Sequence, residues 1–110
     1  MKTIDLNKYR THAGSTVSRV FTGRDRGAQV REQSKIDELF PTTECLEVKI
    51  PDEIFSITPS FLEELFNNIV LKYGKEETLK KVNFVGKYKI KNAFDEAVDR
   101  ILQQKTGLVV

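Results

Sequence analysis

A chain of 110 residues and 12.6 kDa has the size of one domain, which excludes a two-lobed enzyme with its cleft between domains. Its 39% hydrophobic and 31% charged residues, with 6 Gly and 3 Pro, exclude a collagenous, low-complexity or wholly disordered chain. The net charge of +2 is unevenly placed: residues 1–35 carry eight basic and three acidic side chains, +5, and the remainder ten and thirteen, −3. Such polarity marks either a basic binding face or an attraction between the two halves of the fold. The single Cys45 forms no internal disulfide, and with the single His12 it falls short of the four ligands of a structural zinc site. No apolar run approaches the roughly 20 residues that span a bilayer. The opening MKTIDLNKYRTHAG carries charges where a signal peptide would be apolar, so a cytoplasmic protein without membrane association is expected.

Residues 1–16 read as an N-terminal segment with room for a short strand, residues 17–104 as the domain proper, and residues 105–110 as a C-terminal tail. Val17 to Thr22 predicts a strand, Gly23-Arg24-Asp25-Arg26-Gly27 a turn, and the following residues a helix to about Lys35. Ile36, Leu39 and Phe40 are then expected beneath a sheet. In Leu46-Glu47-Val48-Lys49-Ile50 apolar and charged residues alternate, which predicts a strand with one buried face, and Pro51 ends its ladder. Thr58-Pro59 is a helix start, because Thr caps with its hydroxyl and Pro at the first helical position gives up no needed hydrogen bond. Phe61, Leu62, Leu65, Phe66, Ile69, Val70 and Tyr73 recur at helical steps, and Gly74 supplies the stop. Lys81 to Val85 predicts another strand. A last helix buries Ile90, Ala93, Phe94, Ala97, Val98, Ile101 and Leu102 and exposes Lys91, Asp95, Glu96, Asp99 and Arg100. Strands alternating with helices predict an α/β domain with a mixed, largely parallel sheet and amphipathic helices.

Three places hold candidate chemistry. Ser60 falls in the first turn of the main helix, where free N–H groups and the helix dipole favour a phosphate; equally, it caps that helix, with Glu63 closing a capping box. Gly23, Arg24, Arg26 and Gly27 combine guanidinium groups with backbone donors suited to an anion, without the Gly-Lys-Ser/Thr ending of a phosphate loop. Leu71 lies opposite the buried stripe, beside Ser60, Glu64 and Asn67, which makes this helix face a candidate interaction surface. Catalytic residues are not evident: His12 and Cys45 lack a third group to orient them, and Glu63-Glu64 reads as solvated charge.

The stretch Ile54-Phe55-Ser56-Ile57-Thr58-Pro59-Ser60-Phe61-Leu62-Glu63-Glu64-Leu65-Phe66, with the upstream Gly23-Arg24-Asp25-Arg26-Gly27 and Val30-Arg31, resembles the STAS-like domains of unknown function. These are bacterial relatives of the sulfate-transporter and anti-sigma-factor-antagonist domain. The order of elements agrees from about Val17 to Leu102. In the antagonists an Asp-Ser-Ser-Gly loop carries a phosphorylated second serine; Ser60 stands at that place here, with Thr58 where the aspartate is and Phe61 where the glycine is. The resemblance implies a non-enzymatic regulatory module without a cofactor. It further implies docking through the start and outer face of the Thr58 to Tyr73 helix, with Ser60 or Thr58 as phosphoacceptor. The partner so implied is a histidine-kinase-like ATPase or another regulatory protein. Two alternatives stand beside it: a nucleic-acid-associated protein using the basic segment Lys2 to Lys35, and an enzyme built on the Gly23 to Gly27 turn.

Overall fold

The computed structural model describes residues 1–106. In chain order the elements are β1 (Lys2–Asp5), a 3-10 turn (Leu6–Tyr9), the hairpin β2 (His12–Ala13) and β3 (Thr16–Val17), and β4 (Val20–Phe21). There follow α1 (Arg24–Ser34), α2 (Ile36–Leu39), a second 3-10 turn (Phe40–Thr42), β5 (Leu46–Lys49) and β6 (Ser56–Ile57). The chain then forms α3 (Pro59–Lys81), β7 (Val82–Val85) and α4 (Lys91–Thr106). This is the α/β arrangement that the alternation of patterns predicts. The sheet order is β1-β5-β7, all parallel, and β4 pairs in parallel with β6; the β2-β3 hairpin is antiparallel.

The short strand expected within residues 1–16 is β1, and it pairs with β5 in the register Lys2↔Leu46 to Asp5↔Lys49. Alternation makes the main sheet one-sided: Ile4, Leu46, Val48 and Val82 are buried, while Thr3, Lys49 and Asn83 on the other face are exposed. The helices cover the buried face, with α3 packed between α1 and α4. Phe66, Phe84 and Phe94 meet edge-on at centroid distances of 5.0 and 6.1 Å from Phe66, which ties α3, β7 and α4 into one core.

Four local expectations are corrected. The strand foreseen from Val17 to Thr22 is two strands: Thr16–Val17 pairs within the hairpin, a pairing that the Ser18 N–H extends to the Thr11 carbonyl, and Val20–Phe21 pairs instead with β6. Residues 24–27 form the first turn of α1, with Gly23 as its N-cap, so the Gly-Arg segment is helix. At Gly74 the backbone leaves helical angles for an extended positive-φ conformation open to glycine (φ 86, ψ 170) rather than the left-handed stop, and the chain then returns to helix and runs on to Lys81. Lys81 accordingly belongs to α3, and the strand starts at Val82. The resumed turn is fastened by the Thr78 hydroxyl, which donates to the Gly74 carbonyl at 2.7 Å, and by the Lys75–Asp99 ion pair to α4 at 2.9 Å. Of the tail expected over 105–110, residues 105 and 106 belong to α4, and 107–110 lie outside the described residues.

Candidate functional site

β4 and β6 run parallel and each leads within two residues into a helix, so α1 and α3 begin side by side at the carboxyl ends of two strands. In α/β folds that is where ligands and partners are met. Thr58 joins the two starts. Its Oγ1 accepts from the N–H of Phe61 (3.4 Å), capping α3, and from the N–H of Gly23 (3.2 Å), the cap residue of α1. Those two bonds occupy both lone pairs, which leaves the Thr58 hydroxyl proton to donate to Ser60 Oγ, 3.0 Å away. Ser60 is therefore a half-buried residue of the first turn and not the cap, and Glu63 closes no capping box.

The two helices touch at Gly27. A Cβ there would lie 2.3 Å from the Phe61 carbonyl oxygen and 2.9 Å from the Glu64 Cβ, so only glycine permits this approach. Gly27→Ala is expected to lower stability by about 1 to 3 kcal/mol in denaturant titration, as overpacking against rigid backbone does. An unchanged midpoint would mean that α1 does not lie this close.

An ionic cluster surrounds that contact. Glu63, expected in solvent, is buried: its side chain is 2% exposed, and its carboxylate accepts from Arg24 of α1 and Arg100 of α4, each at 3.3 Å. Glu64 pairs with Arg24 (3.6 Å) and Arg31 (3.5 Å), and Arg31 also donates to the Glu64 carbonyl. Three helices are thus joined through two adjacent glutamates. The sequence signal for Glu63 was its position, since it precedes Phe66 and Val70 by three and seven residues and so borders the apolar stripe.

The cluster changes how each predicted residue reads. Glu64 is part of the seam under α1 rather than of an open face. Arg24 is turned to the two glutamates, the Gly23 N–H is taken by Thr58, and Arg26 donates to Gln29 at 2.8 Å. The Gly23 and Gly27 N–H groups and the Arg24 guanidinium thus already have partners within the chain, while Thr22, Gly23, Arg24 and Arg26 border an open depression of about 520 Å³. Of the basic N-terminal residues, Arg10 is also engaged, with its side chain 7% exposed between the Ser18 carbonyl and Glu53. Much of the +5 charge is in this way neutralised by the acidic half of the fold. Asn67 is half-buried and Leu71 is 38% exposed, so this part of the α3 face remains open.

His12 lies exposed on the β2-β3 hairpin, and Cys45, half-buried, precedes β5; these are separate elements. Among the described residues no cluster of three or more His, Cys, Asp or Glu side chains is placed to hold a metal, and no helix is long and apolar enough to cross a membrane. Compared with protein-family models, with curated proteins and with solved structures, the chain matches none.

Proposed function

We propose that this chain is a STAS-like regulatory module that docks a protein partner on the open part of α3 around Asn67 and Leu71, with Ser60 on the far side of the crossing of α1. The observation that carries this reading lies beside Leu71. There α2 and α3 border a cleft of about 230 Å³ lined by Asp37, Asn68, Ile69, Lys72 and Tyr73. Asp37 Oδ2 accepts from Asn68 at 2.8 Å, while its other oxygen, Oδ1, is buried and accepts no hydrogen bond within the chain. A buried acceptor without a donor is costly. Because Oδ1 is closed off from solvent, a donor reaches it only if the cleft opens; what a partner covering Leu71 gains directly is the removal of apolar surface from water.

The interface is narrower than the sequence suggested, because α1 covers Glu64. Ser60 and Leu71 are eleven residues apart on one helix, about 16 Å, well within the width of an ordinary protein interface of about 800 Å² per partner. By the resemblance, the partner is a histidine-kinase-like ATPase or a related regulator, and Ser60 is the modified residue. A phosphate on Ser60 would meet the positive end of the α3 dipole and would replace the bond from Thr58.

Two substitutions test the reading. Leu71→Asp is expected to fold normally and to abolish binding in a pull-down, because it brings an unpaired charge into a desolvated contact. Ser60→Asp is expected to be tolerated by the isolated domain and to weaken docking. Unchanged binding in both variants would show that the partner uses another surface.

A further inference from the structure

β7 stands at an edge of the sheet order β1-β5-β7. The Val85 carbonyl accepts from the Ile50 N–H at 2.7 Å, so Val85 and Asn83 turn their backbone groups toward the β5 side. By alternation Val82 and Phe84 turn theirs to the open side. The Val82 N–H closes α3 on the Thr78 carbonyl. What faces outward is the Val82 carbonyl and both the N–H and the carbonyl of Phe84, the set that one further strand would pair. Along this edge β7 and the first turns of α4 border a groove of about 660 Å³, with Leu79, Phe84, Tyr88 and Phe94 in its lining. Leu79 and Val85 are 37% and 40% exposed.

The charge around the groove is mainly basic: Lys89 and Lys91 line it against one carboxylate, Asp95. Residues 82–92 contain three lysines and no carboxylate, within a C-terminal part of the chain that is otherwise acidic, whereas Lys80 and Lys81 border a separate depression with Glu44 and Glu77. Lys87 and Lys91 reach Asp52 (4.0 Å) and Asp95 (3.1 Å), both surface contacts of little strength. Lysines beside an open edge oppose pairing with a second copy of the same edge, where like charges would face each other. They favour an extended segment rich in Asp and Glu. Nucleic acid suits the lysines but not the rest. The Phe84 ring packs edge-on to Phe66 and Phe94, and the Tyr88 hydroxyl is turned inward to the Ile57 backbone, so these rings are committed to the fold and not set out for bases to stack on.

We propose that the β7 edge is a second docking site, independent of the α3 face, which takes an acidic extended peptide segment of a partner protein as an added strand. The test is selection of a random nonapeptide library on the whole chain, followed by titration of the strongest synthetic binder into isotope-labelled protein. The expected binders place Asp or Glu between alternate apolar residues, shift the Phe84 amide most and slow its hydrogen exchange. Lys87→Glu with Lys89→Glu, both at exposed positions, is expected to weaken them about tenfold or more, and added salt should act in the same direction. The proposal is overturned by an absence of binders, by binders without acidic residues, or by shifts away from β7. Occupation of the groove by oligothymidylate instead of peptide, or concentration-dependent dimerisation through this edge in sedimentation, would overturn it equally.

Discussion

Phe61→Ala is expected to lower the free energy of unfolding by about 3 to 5 kcal/mol, the cost of emptying a large aromatic site in a packed core. The side chain is fully buried, and its ring sits 5.2 Å from that of Phe21, which places it between the start of α3 and the end of β4. Its carbonyl oxygen lies beneath Gly27, so α1 leans on the same residue. Loss of the ring therefore loosens the junction of two strands and two helices, and little nearby can collapse into the space. A loss below about 1 kcal/mol in denaturant titration would mean that Phe61 is not part of a packed core.

The second large effect requires two changes at once. Arg24 and Arg100 both hold the Glu63 carboxylate, and their own side chains are 51% and 45% exposed. Either one replaced by Ala leaves the other in place, and each loss is expected to be about 1 kcal/mol, as for a half-exposed pair. Arg24→Ala with Arg100→Ala leaves a carboxylate that is 2% exposed with neither cation, and the expected loss is about 3 to 5 kcal/mol, more than the single losses added together. Glu63→Leu should cost far less than the double variant, because the half-exposed arginines can turn to water. Additive, small losses in the double-mutant cycle would contradict the cluster.

How far the sequence foretold this molecule depended on the range over which each feature is determined. The strand at Leu46 to Lys49 and the helix from Pro59 to Tyr73 were legible because period and capping act within a few residues. β1 showed only as a segment with room for a strand, since Lys2-Thr3-Ile4-Asp5 buries Ile4 alone and its pairing depends on β5, more than 40 residues later. Gly74 did break the helix, but Glu76 to Lys81 is rich in helix-forming residues and restarts it. The position of Glu63 beside the apolar stripe hinted at its burial, but nothing local showed what would pair with it, because its partners lie 39 and 37 residues away in sequence. Gly27 looked like a turn residue because nothing local distinguishes a glycine needed for its angles from one needed for its size. For the same reason the helix face around Leu71 was legible, whereas the cover that α1 places over Glu64 was not.

The proposed docking face is tested most directly by measuring affinity capture from the native host side by side for the wild type, Leu71→Asp and Phe55→Asp. Phe55 is the larger exposed apolar residue, at 69% against 38% for Leu71, so nonspecific hydrophobic association would depend on Phe55 more. The account predicts that Leu71→Asp loses the captured partner while Phe55→Asp retains it at the wild-type level. Retention by Leu71→Asp, or loss in Phe55→Asp alone, would contradict it.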